Sequence, residues 1–174
     1  MTTRFVALLR AVNVGGRGSL KMDALRDAFV AIGHHDVRTY IQSGNVVFSG
    51  EREVGGAELR AALARELGVE LAVVGRTAAE LQAVLDADPF PDAPRSARHI
   101  GFCDARPREG VLDELDPDRF APEEAAIVGS EVHLLLPDGM GRAKLPVALG
   151  RKLDVAVTYR NWNTVTKLLE LCGG

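Results

Sequence analysis

The chain has 174 residues, 47% of them hydrophobic and 26% charged, with a formal net charge of −3. That length can bury one sizeable core or two small ones, and the apolar content excludes a disordered chain. No apolar run approaches the roughly 18 residues of a membrane helix, the N-terminus lacks a signal peptide's cleavage region, and Cys103 and Cys172 are too few for a disulfide scaffold.

A reducing cytoplasm is therefore the expected compartment, and no membrane is an expected partner. In chain order, residues 4–9 form a short apolar run with the length of a buried strand. A glycine-rich stretch from Asn13 to Lys21 follows. Met22, Leu25, Phe29 and Ile32 then recur at spacings of three and four, which predicts an amphipathic helix ended by Gly33. Val37 to Ile41 and Val46 to Phe48 read as a hairpin around Gln42-Ser43-Gly44-Asn45. Leu59, Leu63 and Leu67 mark a second helix stopped by Gly68, and Leu71 to Val74 a fourth strand. The order is βαββαβ.

The remainder repeats it. Thr77 and Glu80 form a capping box that starts a connecting helix through Leu81, Val84 and Leu85. Asp88-Pro89 ends that helix, and Pro89, Pro91 and Pro94 make a linker. His99 to Cys103 read as a strand, and Val111, Leu112 and Leu115 as a short helix. Ala125 to Val128 and Val132 to Leu136 form a hairpin around Gly129-Ser130. Leu145, Leu149 and Leu153 sit at helical spacing, with Pro146 tolerable only in the first turn. Val155 to Tyr159 give a last strand, and Trp162, Val165, Leu168 and Leu169 a terminal helix. The expected fold is α+β: two ferredoxin-like βαββαβ halves with antiparallel sheets, 1–76 and 98–174, joined by a helix and Pro-rich linker over 77–97.

The charge is unevenly spread. Residues 1–76 hold 10 basic against 8 acidic side chains, 77–131 hold 5 against 13, and 132–174 hold 6 against 3. The ends are basic and the middle is acidic. The acid-rich segment 104–124 reads as a solvated face.

Several loops carry polar chemistry. Gly15, Gly16, Gly18 and Lys21 lie between a strand and a helix, where backbone N–H groups and the helix dipole favour anions. A phosphate-binding P-loop would need glycine at Leu20 and a hydroxyl residue at Met22, so that motif is absent. The stretch suits a flexible turn and an anion site equally. Gln42 to Asn45 is polar beyond what a hairpin needs, although turn chemistry explains it when taken alone. Asp138 to Lys144 again places glycines before a basic helix start. Arg160-Asn161-Trp162-Asn163-Thr164 is the densest polar cluster. Asn161 could cap the last helix, but capping leaves Arg160, Asn163, Thr164 and Lys167 unexplained.

Catalytic and metal signals are weak. No His, Cys, Asp or Glu pair shows a zinc spacing, and no nucleophile elbow is present. No cofactor is indicated. The βαββαβ order invites comparison with RNA-recognition modules, but strand 46–48 offers only Phe48 for base stacking.

The blocks FVALLRAVNVGG, KMDALRDAF, TYIQSGNVVF, DGMGRAKL and RNWNTVTKL closely resemble the bacterial family catalogued as domain of unknown function 1697, over nearly the whole chain. A mild departure is Ala11, where that family usually has glycine. The resemblance implies a small cytoplasmic protein with ferredoxin-like halves, and it implies no reaction. Its motif positions fall on Arg10, Asn13, Gly15, Gly16, Lys21, Gln42, Ser43, Gly44, Asn45, Gly141, Lys144, Arg160, Asn161 and Lys167, with no role attached to any of them.

The leading expectation is a binding module for an anionic ligand, either a phosphate-bearing small molecule or a nucleic-acid backbone. Lys21, Lys144, Arg160 and Lys167 would neutralise charge, while Arg10, Asn13, Gln42, Ser43, Asn45, Asn161 and the Gly15-Gly16 backbone would complete the site. A small enzyme acting on a phosphorylated or nucleotide substrate is one alternative. A homo-oligomeric interaction protein, for example a homodimer, is the other.

Overall fold

A computed structural model describes residues 2–11, 21–40, 44–51 and 55–173. By its contacts the chain divides into two compact units, Met1–Gln82 with Lys167–Gly174, and Ala83–Thr166.

In the first unit β1 (Thr3–Ala11), β2 (His35–Tyr40), β3 (Asn45–Gly50) and β4 (Leu71–Thr77) form an antiparallel sheet in the order β2-β3-β1-β4. Helices α1 (Met22–Ala31) and α2 (Gly56–Leu67) connect β1 to β2 and β3 to β4. This is the ferredoxin-like arrangement expected from the pattern. One sheet face presents Phe5, Ala7, Leu9, Val46, Phe48 and Val73 to Leu25, Phe29, Leu59 and Leu63 of the two helices. Phe48 stacks on Phe5 with centroids 5.4 Å apart and meets Phe29 at 5.0 Å. Burying each such ring stabilises the unit by about 1.5–3 kcal/mol. Val6, Leu8 and Val47, on the other face, are also wholly buried. Strands covered on both sides read as unbroken apolar runs, which is why β1 was visible as one.

The second unit repeats the topology. Strands β5 (Arg98–Cys103), β6 (Glu124–Val128), β7 (Glu131–Leu135) and β8 (Val157–Asn161) are ordered β6-β7-β5-β8, again antiparallel. Its crossovers are reduced. A 3-10 turn over Val111–Glu114 and the four-residue α4 (Pro117–Phe120) replace the first helix, and α5 (Leu145–Gly150) is the second. The expected helix at 111–115 is thus a 3-10 turn, because Pro117 fits only a fresh helix start, capped by Asp116 accepting the Asp118 N–H. Leu153 lies beyond α5 and still packs on the core of Cys103, Val132, Leu134, Leu145 and Leu149.

The last strand lies two residues later than its apolar pattern suggested. Pairing with β5 sets Val157 opposite Cys103 and Asn161 opposite His99, so Arg160 and Asn161 are strand residues. Helix α3 (Ala78–Asp86) begins with the expected capping box. The Thr77 N–H donates to Glu80 Oε2 at 2.7 Å, and the Glu80 N–H to Thr77 Oγ1 at 3.1 Å. Helix α6 (Trp162–Gly173) closes the chain.

Candidate functional site

In the first unit, Arg10 lies near the end of β1, Lys21 at the start of α1 and Asn45 at the start of β3. Arg10 is exposed near the end of β1, opposite Ala72 of β4. Lys21 is exposed at the N-cap of α1, and its own side chain makes no capping hydrogen bond. Asn13, Gly15, Gly16, Gln42 and Ser43 lie outside the described residues. Asn45 is wholly buried, and its Nδ2 donates to the Tyr40 carbonyl at 2.9 Å, tying β3 to β2. It serves the hairpin. Lys167, on α6, is exposed and pairs with Glu170 one turn on, at 3.0 Å. Glu170 raises the pKa of the Lys167 ammonium by hydrogen bonding to it.

The remaining expected residues lie in the second unit. Arg160 is half-buried, with Nη1 donating to the Tyr159 carbonyl at 2.8 Å. Burial lowers its pKa to about 10, so it stays a cation at neutral pH. Asn161 Oδ1 accepts the Thr164 N–H at 2.8 Å, capping α6. Trp162 is nearly buried beneath the Arg98 guanidinium, 4.1 Å from its ring centre. Arg98 in turn donates to Asp88 at 2.5 Å. This polar cluster is built chiefly from structural contacts.

The start of α5 holds a feature that residue patterns did not announce. Glu123 accepts the backbone N–H of Lys144 at 3.0 Å and of Leu145 at 2.7 Å through Oε2. The anion favoured at this helix start is therefore the protein's own carboxylate. Glu123 belongs to the acid-rich segment read as a solvated face. In that segment Glu114 is also engaged, by Arg108 and Lys152.

With its backbone N–H satisfied, Lys144 is exposed and lines a groove of about 540 Å³ between α4 and α5. Leu115, Phe120, Val147 and Ala148 form its apolar surface, and Arg119, Lys144 and Arg151 its charged edge. None of these three cations pairs with a carboxylate among the described residues. Sequence reasoning found Lys144 and missed Arg119 and Arg151. Arg151 follows Lys144 by seven residues, two helical turns, and that spacing was the available signal. A second groove of about 580 Å³ shares Leu115 and Phe120 and carries Asp113, Asp118, Glu123 and Glu124. Among the described residues no three His, Cys, Asp or Glu side chains are placed to hold a metal, and no helix is long and apolar enough to cross a membrane.

The family model described as "Protein of unknown function (DUF1697)" matches residues 1–133. The chain belongs to the DUF1697 family. Comparison with curated proteins gave no match. Among solved structures, the DUF1697 chain is similar to the conserved bacterial protein SP0830 from Streptococcus pneumoniae, at 21% identity and a TM-score of 0.67 over 99% of each chain. That likeness carries the fold. Neither comparison assigns the DUF1697 chain a ligand or a reaction.

Proposed function

We propose that the protein is a binding module for a compact anionic ligand, most simply a phosphate-bearing small molecule. The observation that carries this reading is the α4–α5 groove, which Arg119, Lys144 and Arg151 line without carboxylate partners among the described residues. Its volume is in the range of small-molecule sites. Cations left unpaired around a concave surface stabilise a bound anion more than cations on a flat surface do.

A nucleic-acid backbone is the less favoured ligand. Sequence-tolerant nucleic-acid binding uses a basic track interleaved with exposed aromatic side chains. Phe48, the one aromatic the sequence offered for stacking, is core, and the groove is short.

The test is thermal shift with inorganic phosphate, pyrophosphate, nucleotides, sugar phosphates and short RNA and DNA at two salt concentrations. Stabilisation by a compact phosphate compound is expected, and it should be lost in the Lys144→Ala/Arg151→Ala variant while the unliganded melting temperature is kept. Absence of stabilisation by every anion would sink the reading. Steeply salt-dependent stabilisation by RNA and DNA alone would move it to a backbone binder.

A further inference from the structure

We infer that the ligand of the α4–α5 groove is an amphipathic anion, with an anionic head and an alkyl or aryl body; the inference rests on the anion-binding reading and narrows it. The starting point is Val147. It is 57% exposed, one of three large hydrophobics exposed among the described residues. An isolated exposed valine needs no explanation, but this one has ordered surroundings. Lys144 is the N-cap of α5 and Arg151 its C-cap. Positions 144, 147, 148 and 151 share one face of the helix by the three-and-four spacing. That face reads cation, apolar, apolar, cation, and it lines the groove.

The wall opposite is matched. Phe120 is half-buried and lines the same groove, and the neighbouring Arg119 guanidinium lies 6.0 Å from the ring centre. Each wall thus pairs an apolar surface with a cation. A hydrated phosphate alone would use the cations and leave Phe120, Val147 and Ala148 idle. A ligand carrying a hydrocarbon or ring beside its charge uses both.

Folding does not account for Lys144. A cation at a helix N-terminus is opposed by the helix dipole, and Glu123 already accepts both N–H groups there. The Lys144 ammonium pairs with no carboxylate among the described residues. Arg151, at the C-terminal end, is favoured by the same dipole. Lys144 is therefore the residue that local stability explains least, and such departures concentrate at functional positions.

The experiment is calorimetric titration of the full chain with n-octyl phosphate below its micelle concentration, with glycerol phosphate, with octanol, and with anionic lipid vesicles. Octyl phosphate should bind at least about tenfold more tightly than glycerol phosphate, since each methylene buried against the apolar surface adds to the affinity. Lys144→Ala/Arg151→Ala should weaken both phosphates, whereas Val147→Ser, at an exposed position, should weaken octyl phosphate alone. Equal affinity for the two phosphates would overturn the amphipathic class and leave anion binding standing. No binding of either would overturn both readings. Octanol binding as tightly as octyl phosphate, or binding confined to vesicles, would also overturn the inference, the last in favour of a membrane surface.

Discussion

Glu123 caps α5 from 22 residues away, its carboxylate accepting the N–H of Leu145 at 2.7 Å and of Lys144 at 3.0 Å. The contact fastens the segment after α4 to the start of α5 and so sets the distance between the groove's two walls. Glu123→Ala should cost about 1 kcal/mol, the usual cost of a lost helix cap. Glu123→Gln keeps an acceptor and should cost less. Urea denaturation of both variants checks this, and equal stability of Glu123→Ala and the parent would show that water replaces the cap.

The Asp88–Arg98 pair carries higher stakes. Their side chains are 8% and 11% exposed and 2.5 Å apart, and Arg98 also covers Trp162. Asp88 accepts the Phe90 N–H as well, at 3.1 Å. Removing one member of a buried pair strands the other charge, a loss of about 3–5 kcal/mol. Asp88→Ala should therefore lower the denaturation midpoint sharply and change the near-ultraviolet signal of Trp162, the chain's single tryptophan. An Asp88→Leu/Arg98→Met double variant should recover much of the loss. If it is as unstable as Asp88→Ala, stranded charge is not the cause.

These two contacts show where residue patterns inform and where they do not. The strand runs 4–9 and 132–136 were legible because β1 and β7 are buried on both faces, and the Thr77–Glu80 box because capping is local. Strand β8 was displaced because its register follows from pairing with β5, which no local pattern encodes. Helix α4 has four residues, too few for any periodicity, so Arg119 gave no sign of facing Lys144. The helical spacing of Leu145, Leu149 and Leu153 left Val147 unremarked, and its exposure is a tertiary fact. Asn161 caps α6, as its place before the helix allowed, and Asn45 bonds the Tyr40 carbonyl within the hairpin that its turn chemistry suggested.

Gly44 offers a test confined to the Gln42–Asn45 motif. Its φ is +79°, and an added Cβ would lie 3.1 Å from both the Cβ and the carbonyl oxygen of Leu9, whose N–H donates to Gly44. Gly44→Ala should destabilise by about 1–3 kcal/mol. Gly33, at φ +94° with open space around it, isolates the conformational part. Gly33→Ala should therefore cost less, and equal melting points for the two variants would remove the Leu9 contact from the account.

Stability should also fall with mild acid, through His99 and His133. Both are buried, and burial lowers the pKa of each below the ordinary 6.5. A hydrogen bond donated by the His99 ring to the Ala97 backbone opposes the shift at His99, and the nearby Asp88 charge opposes it at His133. Above pH 6.5 both imidazoles are neutral in the folded and unfolded chain, and nothing changes. As pH falls below 6.5 the unfolded chain takes up protons that the folded chain refuses, so stability drops until the folded-state pKa values are passed. The exposed carboxylates of Asp36 and Glu114, which hydrogen bonds from the His35 and Arg108 side chains hold below their usual range, lose their contribution only at lower pH. Denaturation midpoints at pH 8, 7, 6 and 5 should thus be level at first and then decline. His133→Leu, which also removes a buried Nε2 without a hydrogen-bond partner among the described residues, should flatten that decline. A variant with the parent's slope between pH 7 and 5 would place the acid sensitivity elsewhere.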